Sequence, residues 1–409
     1  MKKFFALLLS LAMVLALVAC GQKETTTPDD TQTPDDTTPE VEYKIAMITD
    51  YGDITDQSFN QTTYEACKAF AEKNNIEFKY FKPAGDNTAD RVAMIEKAVN
   101  DGFNVIVMPG YAFGGAIVEA APEFPDVKFI ALDVAAGDLL ETAVAKAGEA
   151  YDYTPENWDL NKYVDMSNVY CAVYQEELCG YMAGYAAVKL GYKNLGFLGG
   201  MSVPAVVRYG YGFVQGVDAA AADLGLTDVK LNYIYGGQFF GDADITAVMD
   251  TWYQGGTEVV FACGGGIYTS AVDAAKKANA KVIGVDVDQA GVIAKYAGVD
   301  GMTVTSAMKG LYPATYDTLT DVIVNGNWDK YVGKIATLGL VSGTDPEANY
   351  VQIPMGDGTQ WSDSFTQDDY KAMVKDMFDG KITVSNDTTK APTDFATAIT
   401  VNAQGQIKG

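Results

Sequence analysis

The sequence predicts an α/β protein of two doubly wound lobes with a crevice between them, and three observations carry that expectation. At 409 residues the chain exceeds one ordinary core and calls for two domains. From Tyr43 onward, short apolar runs alternate with amphipathic stretches, the pattern of parallel strands covered by helices on both faces. That alternation runs through two successive series.

Taken in order, the chain begins with a positive Met1-Lys2-Lys3 and an apolar run from Phe4 to Val18, too short and wrongly flanked for a stable membrane span. The run ends in Leu17-Val18-Ala19-Cys20-Gly21, which resembles the lipobox of bacterial lipoproteins. Residues 1–19 are therefore expected to be a removed signal peptide and Cys20 a lipidated residue, for which two acyl chains suffice as an anchor. The rest of 20–42 is rich in Thr, Pro, Asp and Glu, repeats Thr-Pro-Asp-Asp, and offers no apolar face. It reads as an extended tether.

The first series places strands at 44–49, 77–82, 105–109, 129–133 and 169–174, with helices at 58–74, 88–101 and 114–121. Residues 134–168 break the rhythm and read as a long irregular excursion. The second series places helices at 177–190, 204–225, 242–254, 267–279 and 311–325 between strands at 194–199, 230–235, 258–263, 281–287 and 303–308. One further helix is expected at 367–378. The expected first lobe is 43–175 plus about 303–325, and the second is 176–302 plus about 326–409.

The stretch from Thr49 to Gln61 stands where a strand ends and a helix begins, the point at which open parallel sheets bind ligands. Ser58 and Gln61 have capping-box spacing, which predicts a helix start at Ser58 and puts Phe59 and Asn60 in its first turn. An aromatic ring beside an amide and several carboxylates suits a flat ligand with hydrogen-bonding edges. The same residues taken alone read equally as a core phenylalanine with ordinary turn and cap chemistry.

Composition narrows the function. The formal charge is −25, and about −27 once Lys2 and Lys3 are removed, a surface that repels nucleic acid and anionic lipid. The chain has no histidine, which excludes His-based general bases, Ser-His-Asp triads and His-ligated metals. The only arginines are Arg91 and Arg208, so a strongly anionic ligand is disfavoured. Cys67, Cys171, Cys179 and Cys263 fit neither a zinc site nor a disulfide framework. No G-x-x-x-x-G-K-[ST] occurs, and Gly264-Gly265-Gly266 lacks the full dinucleotide fingerprint.

Five stretches together resemble the basic membrane protein family, substrate-binding lipoproteins of ABC transporters, several of which bind purine nucleosides. They are Asp50 to Gln61, Glu177 to Gly184, Gly199-Gly200-Met201 with Arg208 to Phe213, Ile283 to Gln289, and Thr305 to Lys309. The resemblance covers roughly 43–325. It implies a fold like the type I periplasmic binding proteins, with two Rossmann-like lobes and the ligand clamped between them. By position, Phe59 would stack on one face of a base and Phe239, or its neighbour Phe240, on the other. Asp50, Asn60 and Asp133 would hydrogen-bond the base edge. Asp286 would accept from ribose hydroxyls, with Lys309 and the Gly264 backbone near the sugar.

The resulting expectation is a monomeric, non-enzymatic receptor without cofactor or metal, lipid-anchored on the extracytoplasmic face. It would hand a nucleoside, in the first place a purine nucleoside, to an ABC permease and ATPase. A receptor for a sugar or furanosyl signal on the same fold is the nearest rival. A surface adhesin or signalling receptor without transport, and a nucleoside-cleaving enzyme, are the others.

Overall fold

A computed structural model describes residues 42–408. The expected signal peptide, Cys20 and all of the tether but its last residue lie outside the described residues.

The first series comprises β1 (Lys44–Ile48), α1 (Phe59–Asn74), β2 (Glu77–Phe81), α2 (Thr88–Asn100), β3 (Val105–Pro109), α3 (Gly114–Ala120), β4 (Lys128–Leu132), α4 (Ala136–Lys146), α5 (Leu160–Tyr163) and β5 (Val169–Tyr174). The second comprises α6 (Glu176–Lys189), β6 (Asn194–Gly199), α7 (Pro204–Asp223), β7 (Lys230–Tyr235), α8 (Ala243–Gln254), β8 (Val259–Cys263), α9 (Tyr268–Ala278), β9 (Lys281–Asp286), α10 (Ala290–Ala297) and β10 (Thr303–Lys309). The chain continues with α11 (Leu311–Leu319), β11 (Lys334–Leu338), β12 (Val351–Gln352), α12 (Gln367–Phe378) and β13 (Thr400–Gln406).

Among the described residues two sheets result: a six-stranded one, β11-β5-β4-β3-β1-β2, and a seven-stranded one, β12-β10-β9-β8-β6-β7-β13. The first is parallel throughout, and in the second only β12 runs antiparallel. In the inner strands both faces of each sheet are buried, as continuously apolar strands require, while the edge strands β2, β11 and β13 are largely exposed. In β1, Ala46 and Ile48 join the core on one face while Ile45 and Met47 join the core on the other.

The two-lobe α/β architecture is as expected, but the crossings between lobes differ. Residues 303–309 were expected in the first lobe; as β10 they sit inside the seven-stranded sheet beside β9. Residues 334–338 were expected in the second lobe; as β11 they form the edge of the six-stranded sheet beside β5. A strand apolar on both sides carries no mark of which sheet it enters, so local pattern could not decide this. The chain changes lobes at 175, near 310 and near 339–350, and the crossings bond to one another. Gln175 N donates to Leu338 O at 2.9 Å, Gly310 N to Tyr350 O at 2.7 Å, and Tyr350 N to Gly339 O at 3.0 Å.

The expected irregular excursion over 134–168 also needs correction. Its first third is the regular helix α4, which buries Leu139, Leu140, Ala143 and Val144. Gly137 in its first turn weakens the local helical signal, and packing on the neighbouring helix overrides that weakness. Two helices of the second lobe lie unusually close. A Cβ at Gly180 or Gly184 would strike the α7 backbone, and one at Gly212 or Gly216 would strike that of α6. This close approach sets the first turn of α6, with Glu176 and Glu177, beside Arg208.

Candidate functional site

The carboxyl ends of both sheets face one cavity of about 490 Å³ between the lobes. All eight residues singled out from sequence line it: Asp50, Phe59, Asn60, Asp133, Phe239, Gly264, Asp286 and Lys309.

The turn after β1 is held by acids rather than by the expected capping box. Asp56 accepts from the backbone N–H groups of Ser58, Asn60 and Gln61 at 2.9, 2.9 and 3.1 Å, and so caps α1. Gln61 Oε1 instead accepts from Gln57, and Ser58 Oγ turns across the cleft to donate to Asp286. The capping expectation fails because the spacing was right but a better acceptor lay two residues earlier. Asp50 Oδ1 accepts from Tyr51 N and Gly52 N, each at 2.6 Å. The Asn60 amide donates to Asp50 at 3.1 Å and to Asp56 at 3.0 Å. Asn60 therefore reaches the cavity with both amide protons already engaged, bracketing the two acids, while the second oxygen of Asp50 lies beside Gly110.

Asp133 and Asp286 stand just past β4 and at the end of β9, and both adopt left-handed backbone, φ 59° and 65°. Such a conformation costs energy for most residues and is tolerated best by Asn and Asp. Here it ends each strand with a carboxylate turned into the cleft. Between them lies the Lys309 ammonium, 5% exposed, the last residue of β10. It pairs with Asp133, lies 3.6 Å from Glu176 and 3.7 Å from Asp286, and sits 4.7 Å from the centre of the Phe59 ring. Arg208 Nε donates to Glu176 at 2.7 Å, and Tyr209 OH to Asp286 at 3.3 Å. Gln289 Nε2 donates to Gln57 O at 3.2 Å, a further bond between lobes. The Phe239 ring packs against Gly264 and Gly200; at Gly264, with φ 152°, a Cβ would come within 2.8 Å of it. Phe240 also lines the cavity but is 55% exposed.

Sequence reasoning missed the cavity residues Asp138, Tyr51 and Tyr111, and gave Arg208 no role. Asp138 was hidden by reading its helix as irregular. Arg208, one of only two arginines, offered a signal in its rarity. Every cation lining the cavity is already paired: Lys82 with Asp53 at 2.8 Å, Arg208 with Glu176, and Lys309 with Asp133. Among the described residues, no group of three or more His, Cys, Asp or Glu is arranged to hold a metal. Among the described residues, the cavity thus offers aromatic faces and carboxylate acceptors, with no spare cation for a phosphate or carboxylate.

Burial pushes the carboxyls of Asp50 and Asp56 up, against the pull of the N–H groups they accept. Burial also pushes Asp138 and Glu177 up, each to about 7. In the pH range between the unfolded values and 7, the folded chain holds protons at these two groups that the unfolded chain has released. Stability should therefore rise as pH falls from about 8 to about 5. Acids held low, such as Asp242 at about 2 through the Ile245 N–H and Lys408, lose their contribution only in stronger acid. Glu177→Gln should flatten the pH slope, and calorimetric Tm across that range checks it. A slope of opposite sign would refute the assignment.

Residues 43–345 match the model of the Bmp family, described as ABC transporter substrate-binding protein PnrA-like. The chain is 26% identical over 359 residues to a protein named ABC transporter nucleoside-binding protein BmpA, from Lactococcus lactis subsp. cremoris. That match covers 84% of this chain and 90% of the relative. It is 27% identical to the CD4+ T-cell-stimulating antigen of Listeria monocytogenes, over 78% of this chain and 84% of that protein. In fold it resembles the crystal structure of an ABC transporter solute-binding protein from Aeropyrum pernix K1, with a TM-score of 0.59, 20% identity, and coverage of 86% of this chain and 90% of that one.

Proposed function

Because this chain belongs to the Bmp family of PnrA-like ABC transporter substrate-binding proteins, we propose that the ligand it carries is a purine nucleoside. As a member of that family it is a solute-binding component of a transporter and not an enzyme. The observation that carries the reading is the interlobe cavity, in which aromatic rings, Phe59 and Phe239 among them, and a set of carboxylates converge while each cation lining it is already paired. A neutral, flat heterocycle bearing hydroxyl donors fits those terms, and a phosphorylated one does not.

In this reading Phe59 and Phe239 take the two faces of the base, since ring stacking tolerates several bases. Phe239 is favoured over Phe240 because its ring is braced on glycine backbone while Phe240 faces outward. Asp50 and Asp133, which both line the cavity, accept from the base edge, and Asn60 keeps Asp50 in place. Asp133 Oδ1 is buried without a hydrogen-bond partner, an acceptor left open. Asp286 accepts from ribose hydroxyls, the stronger, charge-assisted class of bond, and the ligand there takes over the place of Ser58 Oγ. Lys309 and the Gly264 backbone border the sugar.

Closure of two lobes over a solute is the ordinary repertoire of such proteins. The loaded receptor, a monomer, delivers its ligand at the extracytoplasmic face to a permease driven by an ATPase. Cys20 would supply the anchor; among the described residues, no helix is long and apolar enough to cross a membrane.

Calorimetric titration of the mature chain with inosine, guanosine, adenosine and ribose tests the proposal. Saturable binding of at least one nucleoside, uncompeted by ribose, is the expected result. Ribose displacing inosine would favour the sugar reading, and no nucleoside binding at all would overturn the proposal.

A further inference from the structure

We propose that the strand β13 is a positioning element for the Phe239 ring, with Lys408 as its lock; this rests on the reading of Phe239 as a ligand-facing residue. The family match ends at residue 345, and β13 lies beyond it. That strand pairs in parallel with β7 from Thr400 opposite Lys230 to Gln406 opposite Tyr235. Ile407 N then donates to Tyr235 O at 2.8 Å. Pairing therefore runs out where β7 leaves the sheet to become the loop that carries Phe239.

On its other side the same loop is tied to the exit of β6. Gly236 N donates to Gly199 O at 2.7 Å, and Gly237 N to Gly200 O at 3.0 Å. Gly237 adopts φ 84°, and the Lys408 carbonyl occupies the space next to where its side chain would be, 2.6 Å from a built Cβ. The loop is thus clamped between the ends of two strands, β6 and β13.

Lys408 completes the clamp. Its ammonium pairs with Asp242 and lies 3.5 Å from Asp244. Asp242 caps α8, accepting from Asp244 N and Ile245 N at 3.0 Å each. Its other oxygen accepts from Gln238 Nε2 at 2.8 Å, and that amide also donates to Phe240 O at 2.9 Å. Lys408, Asp242 and Gln238 form a polar chain that grips the loop on both sides of Phe239. Lys408 is not among the residues that line the interlobe cavity and acts through that loop. A ring already held in its bound position saves the ordering cost that a mobile one would incur on binding.

The test is the mature full-length chain carrying Lys408→Glu, which sets three like charges against one another, with Lys408→Met as a milder variant and Lys408→Arg as the conservative one. Lys408→Glu should weaken nucleoside affinity about tenfold while Lys408→Arg stays within about twofold of wild type. In the ligand-free protein, amide hydrogen exchange over 236–242 should quicken in the Glu and Met variants and not in the Arg variant. Should wild type bind no nucleoside, the functional reading falls and the exchange measurement alone decides the positioning role. Wild-type exchange in Lys408→Glu, or an Arg variant as impaired as the Glu variant, would overturn it.

Discussion

Lys309→Met is expected to destabilise the chain by roughly 3–5 kcal/mol, the usual consequence of removing one partner from a buried ionic cluster. The ammonium is buried and faces Asp133, Glu176 and Asp286. Burial alone would drive its proton affinity down, but the charges of Asp133, Asp286 and Glu176 outweigh that and hold it well above the ordinary lysine range. Methionine keeps the packing volume and removes only the charge. Arg208 still compensates Glu176, but Asp133 and Asp286 are left buried with no cation between them. Burial already pushes the Asp133 carboxyl up, so in the variant it should protonate more readily as pH falls. The loss should therefore be greatest near neutral pH and shrink towards about pH 5. Urea unfolding at two pH values checks this, and the double variant with Asp133→Asn should recover part of the loss. A change below about 1 kcal/mol would mean that the cluster tolerates the missing charge.

Phe59→Ala should weaken inosine binding by roughly 1–3 kcal/mol, or about 5- to 150-fold, if the ring stacks on the base. The residue is well placed for that. Asp56 fixes the start of α1, Phe59 is the first residue of the helix, and Lys309 steadies the ring from 4.7 Å. Phe59 also packs against apolar cores of both lobes, so some stability will go with it. Phe59→Tyr separates the two effects: it retains a stacking face and should bind within about fivefold of wild type. Calorimetry on the folded variants gives both numbers. Undiminished affinity in Phe59→Ala would remove the sandwich from the proposed function.

The two cases differ in how far the sequence announces them. Phe59 was legible because a strand end, a polar turn and a helix start lie within a few residues of one another. Lys309 was legible through the family motif that ends at it, as a group near the sugar, and its ionic cluster was not. Its three acidic neighbours come from the residue after β4, from α6 and from β9, and nothing local couples them. Asp138 was invisible for a third reason: its helix is short, glycine-containing and sustained by packing rather than by propensity.

By itself the sequence determined the alternation of strands and helices, hence the α/β class and two lobes, and placed Asp50, Asp133, Asp286 and Lys309 near strand ends. These properties follow from hydrophobic periodicity and turn chemistry, which act over a few residues. Tertiary structure alone decided that β10 and β11 exchange lobes, that Ser58 reaches Asp286 across 228 residues, and that the Asn60 amide is spent on two acids. The reason is physical. Which sheet an apolar strand joins, and which partner a polar group finds, depend on where the chain lands after each crossing, and that is set by the packing of the whole molecule.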